Sequence, residues 1–82
     1  MLKADGFDDA VIGIGRRCGQ EDLIIYDIDK CINVLQTKPH NMTCEEATEY
    51  FWYNVAGSWV GKRTPMFLEK KTIQEIEEDA KP

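Results

Sequence analysis

VIGIGRRCGQEDLIIYD, residues 11–27, sets two apolar runs around a loop with two arginines, a cysteine and a glycine. Two readings compete for it. A phosphate cradle needs glycines that allow close backbone approach, with a helix N-terminus directly after them. Here Gly13, Gly15 and Gly19 lead into Leu23-Ile24-Ile25-Tyr26, whose branched and aromatic side chains predict a strand. Cys18 also stands where the G-x-G-x-x-G spacing requires glycine. The stretch therefore predicts an antiparallel hairpin, with strands over 10–16 and 22–27. In a regular first strand Ala10, Ile12 and Ile14 share one face, and Val11, Gly13 and Gly15 the other. The glycine face is bare backbone. An indole from Trp52 or Trp59, or a second protein chain, would cover it.

Capping and periodicity place the elements on either side. Residues 1–9 are polar, with a turn at Asp5-Gly6. Asp27 can accept from the free N–H groups of a first helical turn. Behind it Ile28, Cys31, Ile32 and Leu35 recur on one stripe, and Pro39 ends the helix. In MTCEEA, residues 42–47, Thr43 and Glu46 form a capping box, with Met42 and Ala47 at staple positions. This second helix runs to Gly57, read as a left-handed stop. A third strand is expected over 64–68. Pro65 cannot donate to a ladder, so that strand lies at an edge or begins at the proline. The tail repeats T-x-x-E at Thr72 and Glu75. Ile73 and Ile76 are its only large apolar residues, so its helix is marginal alone. The predicted fold is α+β, ordered β-β-α-α-β. A three-stranded antiparallel or mixed sheet carries two helices on one face. One domain covers 1–68, and an acidic tail with a marginal helix covers 69–82.

The net charge of −5 narrows the partners. Affinity for phosphate backbones or anionic membranes needs clustered cations. Six of the ten basic residues come instead as isolated pairs, Arg16/Arg17, Lys62/Arg63 and Lys70/Lys71, and the rest stand singly. No apolar run approaches the roughly 20 residues of a membrane span, and MLKADGFDDA has no apolar core of a secretory signal. Three cysteines, without a C-x-x-C, fit free thiols in a reducing cytoplasm.

The aromatic segment EYFWYN, residues 49–54, points toward a function. Successive helical residues advance about 100°, so four adjacent rings cannot share one face. On this wheel Cys44, Ala47 and Val55 centre on Phe51 and mark the core arc. Tyr53 falls among Glu45, Glu46 and Glu49, on the solvent side, with Trp52 and Tyr50 at the borders. Exposed aromatics of this kind anchor protein interfaces. The expected partner-binding residues are Tyr53, Trp52 and Trp59, with Gly13 and Gly15 on the bare strand face. The partner is a host protein or a second copy in a homodimer. Asn54 falls within the core arc and is expected to be a buried structural amide.

Other chemistries are weaker. Arg16, Arg17 and Gly19 form an alternative anion- or nucleotide-binding loop, although adjacent strand residues point to opposite faces. Cys18 follows two arginines, which favour thiolate, but no histidine lies near it in sequence. Cys18, Cys31, Cys44 and His40 have the count for zinc, yet Cys31 and Cys44 lie on apolar stripes as core thiols do. The acidic runs at Glu45, Glu46 and Glu49 and at Glu75, Glu77, Glu78 and Asp79 read as solvated faces rather than nucleic-acid mimics. No nucleophile, base and orienter assemble, so no catalytic residue, metal or cofactor is expected.

Several blocks resemble small proteins of tailed bacteriophages, including marine and cyanobacterial phages. The pattern comprises D-G-[FY]-x-[DE]-A at Asp5 to Ala10 and I-G-[IV]-G at Ile12 to Gly15. It continues with E-E-A-x-E-[YF]-F at Glu45 to Phe51, then N-x-x-G-x-W-x-G-x-x-T-P. That last block falls on Asn54, Gly57, Trp59, Gly61, Thr64 and Pro65. The likeness spans about residues 5–68, and the tail from Glu69 departs from it. It implies a phage origin and the host cytoplasm, and it carries over no catalytic or ligand residue.

Overall fold

The hairpin forms where the two apolar runs and the glycine-bearing loop place it. A computed structural model describes residues 2–59 and 64–80. The Lys62/Arg63 pair and Gly61 lie outside the described residues. Strand β1 spans Val11–Gly15 and pairs antiparallel with β2, Leu23–Asp27. In the loop, the Gln20 N–H donates to the Arg17 carbonyl at 3.1 Å.

The register is irregular, and this changes the face assignment. Val11 faces Tyr26, Gly13 faces Ile25, Ile14 faces Ile24 and Gly15 faces Leu23. Ile12 is the extra residue of a β-bulge. Val11 therefore shares a side with Ile14, on the Tyr26 side, and of the paired residues Gly13 and Gly15 remain on the opposite face. The regular alternation expected from the sequence fails at this point. Gly13 has φ +157°, a backbone setting that side chains rarely adopt.

Strand β3, Met66–Leu68, joins β2 in parallel, giving the mixed order β1-β2-β3. It is an edge strand, and it begins one residue after Pro65, which is itself buried.

Helix α1, Ile28–Gln36, starts at the Asp27 cap, whose Oδ1 accepts from the Lys30 N–H at 3.1 Å. Its stripe buries Ile28, Cys31 and Leu35. Helix α2, Cys44–Tyr50, starts at the Thr43–Glu46 capping box. It continues as a π-helical turn, Phe51–Val55, and a 3-10 turn, Ala56–Ser58. A π turn holds more residues than an α turn, so each advances through a smaller angle. From Phe51, this brings Val55 nearer the core direction and carries Asn54 away from it. Asn54 is exposed, against the expectation of a buried amide. Cys44 is also exposed; it is the first residue of α2, and burial on this stripe starts one turn later, at Ala47. Gly57 is not a left-handed stop. Its place is fixed by close approach: a Cβ there would lie 2.7 Å from the Trp52 carbonyl oxygen.

The core sits between the Tyr26 side of the sheet and the two helices. Tyr26, Cys31, Leu35, Ala47 and Phe51 are its centre. Phe67 stacks on Tyr26 at 5.8 Å and meets Phe51 edge-on at 5.2 Å, so sheet and helix join through rings. The N-terminal segment belongs to this core, although its sequence reads as polar. Ala4, Phe7 and Ala10 are buried, and the Ala4 N–H donates to the Tyr26 hydroxyl at 2.8 Å. Helix α3, Ile73–Asp79, has its own capping box at Thr72 and Glu75. It buries no residue, and Ile73 and Ile76 are exposed.

Candidate functional site

The outer side of α2 and its π turn meets the N-terminal segment and the end of the α1 connection across a cleft. Tyr50 and Asn54, four residues apart, form one wall, and Trp59 and Ser58 extend it. Asp5, Gly6 and His40 complete the rim, and Phe7, Leu35 and Val55 contribute the apolar lining. The cleft volume is ≈ 320 Å³. A second, shallower groove of ≈ 280 Å³ is lined by Glu46, Glu49 and Tyr53, and also by Tyr50 and Asn54. The shared pair forms a ridge between the two hollows. Tyr53 stands beside it at 81% exposure.

Each wall has a local reason for its position. Tyr50, Tyr53 and Asn54 share a helical side because they are three and four residues apart. The Trp59 N–H donates to the Ala56 carbonyl at 3.5 Å, which turns its ring back onto the core, where it is half-buried. The Ala4–Tyr26 hydrogen bond anchors the segment carrying Asp5. Hydrogen bonds from Asn41 N–H to Thr37 and from Met42 N–H to Leu35 close the loop that presents His40.

The site is acidic. Asp5 lies at the cleft, and Glu46 and Glu49 at the groove. The Thr43 backbone N–H, and then its hydroxyl, hold the Glu46 carboxyl below its ordinary value, so its charge persists. Among the described residues, no lysine or arginine lines either hollow.

The expected partner-binding residues fall in three places. Tyr53 and Trp59 belong to the cleft-and-groove surface. Trp52 is half-exposed but lies outside both hollows, with its ring edge-on to Phe51 at 5.1 Å. Gly13 and Gly15 lie on the far face of the sheet. There Ile25 covers Gly15: a Cβ on the glycine would sit 2.8 Å from Ile25 Cδ1. Within the chain the cover over Gly15 is therefore Ile25 and not an indole. Gly13 has nothing within 4 Å of such a position. The sequence reading missed Asp5, His40 and Asn54 as site residues. The Asp5-Gly6 turn was legible, but not the element it would face.

The alternative loop places Arg16, Arg17 and Gly19 at the exposed hairpin end. Arg16, Arg17 and Glu21 border a hollow of ≈ 240 Å³, and Arg16 Nε lies 3.4 Å from Asp22 Oδ2. Two carboxylates beside two guanidiniums weaken the field an anion would feel.

The cysteines do not converge. Cys18 and Cys44 are exposed, Cys31 is buried, and the described residues contain no group of three or more side chains able to hold a metal. Burial, and then the Asp27 charge, push the Cys31 thiol up to about 12, which keeps it protonated. Among the described residues no helix is long and apolar enough to cross a membrane. No family model, curated protein or solved structure matches the chain.

Proposed function

We propose that the chain is a non-enzymatic accessory protein of a tailed bacteriophage, acting in the host cytoplasm by binding another protein. Its docking surface is the ridge of Tyr50 and Asn54 with Tyr53 and Trp59 on either side. One observation carries this reading: Tyr53, 81% exposed, stands at the edge of the groove, whose Tyr50–Asn54 wall is shared with the cleft. A large side chain at a hollow's edge is the arrangement of an interface anchor, where truncation costs about 2 kcal/mol or more. The alternative anion-binding loop has less support, since Arg16 is already paired.

The test compares wild type with Tyr53→Ala as bait in host extract, with sedimentation of the bait alone. The expected result is one or more proteins, or the chain itself, recovered by wild type and reduced about ten-fold or more by the variant. Identical recovery by both baits contradicts the reading.

A further inference from the structure

We infer that the segment docking on this surface is cationic, with one arginine or lysine side chain seated in the cleft and a second in the adjoining groove. This rests on the protein-docking reading above and names the chemistry of its partner.

The cleft joins two kinds of wall suited to a cation. Tyr50 and Trp59 supply aromatic surface, and Asp5 a carboxylate. A guanidinium can lie on a ring while its edge donates to a carboxylate, and an ammonium is drawn to both. At ≈ 320 Å³ the cleft is at the small end of ligand sites. That size suits a long side chain better than a cofactor. The groove repeats the pairing with Tyr53 against Glu46 and Glu49. Between them the exposed Asn54 amide offers donors and an acceptor to a peptide group of the partner.

Charge selects the occupant. An anionic segment would meet Asp5, Glu46 and Glu49 with no lysine or arginine among the described lining residues. An uncharged apolar segment would desolvate those carboxylates and bring no charge to offset the loss, although Glu46 keeps its bond from the Thr43 N–H. A cationic segment satisfies them, and the net charge of −5 steers it toward the surface.

The probe is a fluorescein-labelled Gly-Arg-Gly-Arg-Gly peptide, compared by polarisation with versions carrying citrulline or glutamate at the arginine positions. Citrulline keeps the shape of arginine and removes its charge. The arginine peptide is expected to bind about ten-fold or more tightly than the citrulline peptide, with no glutamate binding. Asp5→Asn and Glu49→Gln should each weaken it several-fold. A double Glu77→Gln, Glu78→Gln variant, which removes charge from α3 instead, should leave it unchanged. Equal binding of arginine and citrulline peptides overturns the inference. So does an equal loss in the α3 variant, which would mean bulk charge alone. Selection from a random displayed-peptide library separates the two levels. Selected peptides without lysine or arginine that still need Tyr53 overturn the cationic partner and keep the docking face. Selected peptides indifferent to Tyr50→Ala and Tyr53→Ala overturn the docking face itself.

Discussion

Phe51→Ala is expected to cost about 3–5 kcal/mol, the range for emptying a buried aromatic site. Phe51 is 0% exposed and lies at the junction of α2 with its π turn. Its ring meets Phe67 of β3 at 5.2 Å and Trp52 at 5.1 Å, both nearly edge-on. Phe67 in turn stacks on Tyr26, so one line of rings runs from the sheet through the core to the helix surface. Alanine would remove the middle of that line. A domain of this size has roughly 4–12 kcal/mol of total stability. The variant is therefore expected to lose much of its folded population at 37 °C. Phe51→Leu, which keeps most of the volume, should cost about 1–2 kcal/mol. Urea unfolding of the three proteins measures this. A cost below about 1 kcal/mol for alanine would show that the core does not centre on this ring.

Asp27→Ala is the second large effect, expected at about 1–2 kcal/mol near pH 7. The carboxylate is 3% exposed where β2 passes into α1. Its Oδ1 accepts from the Lys30 N–H at 3.1 Å, and its Oδ2 lies 3.3 Å from the Lys70 ammonium. The cap accounts for about 1 kcal/mol. The ion pair adds less than about 1 kcal/mol because Lys70 is exposed to solvent. Asparagine caps as well as aspartate, so Asp27→Asn should recover the first part only.

The pH dependence has a definite sign. The Lys30 N–H holds the Asp27 carboxyl below its ordinary 3.8; burial opposes this, and Lys70 reinforces it. A carboxyl lowered by folding stabilises fully above its unfolded value. That contribution is lost as pH falls through the folded value. Denaturant unfolding should therefore show a constant gap between wild type and Asp27→Asn from pH 8 to about 5. The gap should shrink below pH 3.8. A gap that widens on acidification would contradict the assignment.

The caps and periodic stripes were legible because they are local. Asp27, Thr43 and Thr72 cap helices by reaching residues three positions on. Pro65 marked the start of β3, which begins at the next residue, Met66. Illegible features depended on non-local packing or on a change of helical pitch. The bulge at Ile12 re-sorted the faces of β1, and the π turn rotated Asn54 from the core into the site. The cleft was only partly legible. Tyr53 followed from counting around a helix, whereas Asp5 and His40 reach the same surface from segments far away in the chain. Ala4 and Phe7 looked like part of a polar lead-in because isolated apolar residues show no period. They are buried in the core, where the Ala4 N–H donates to the hydroxyl of Tyr26, 22 positions away.

The proposed function turns on which surface a partner touches. NMR shift mapping during titration with the Gly-Arg-Gly-Arg-Gly peptide tests this directly. The expected perturbations cluster at Asp5, Tyr50, Tyr53, Asn54 and Trp59. Perturbations confined to Gly13, Ile25 and Met66 on the far sheet face, or to Ile73 and Ile76 of α3, would contradict it.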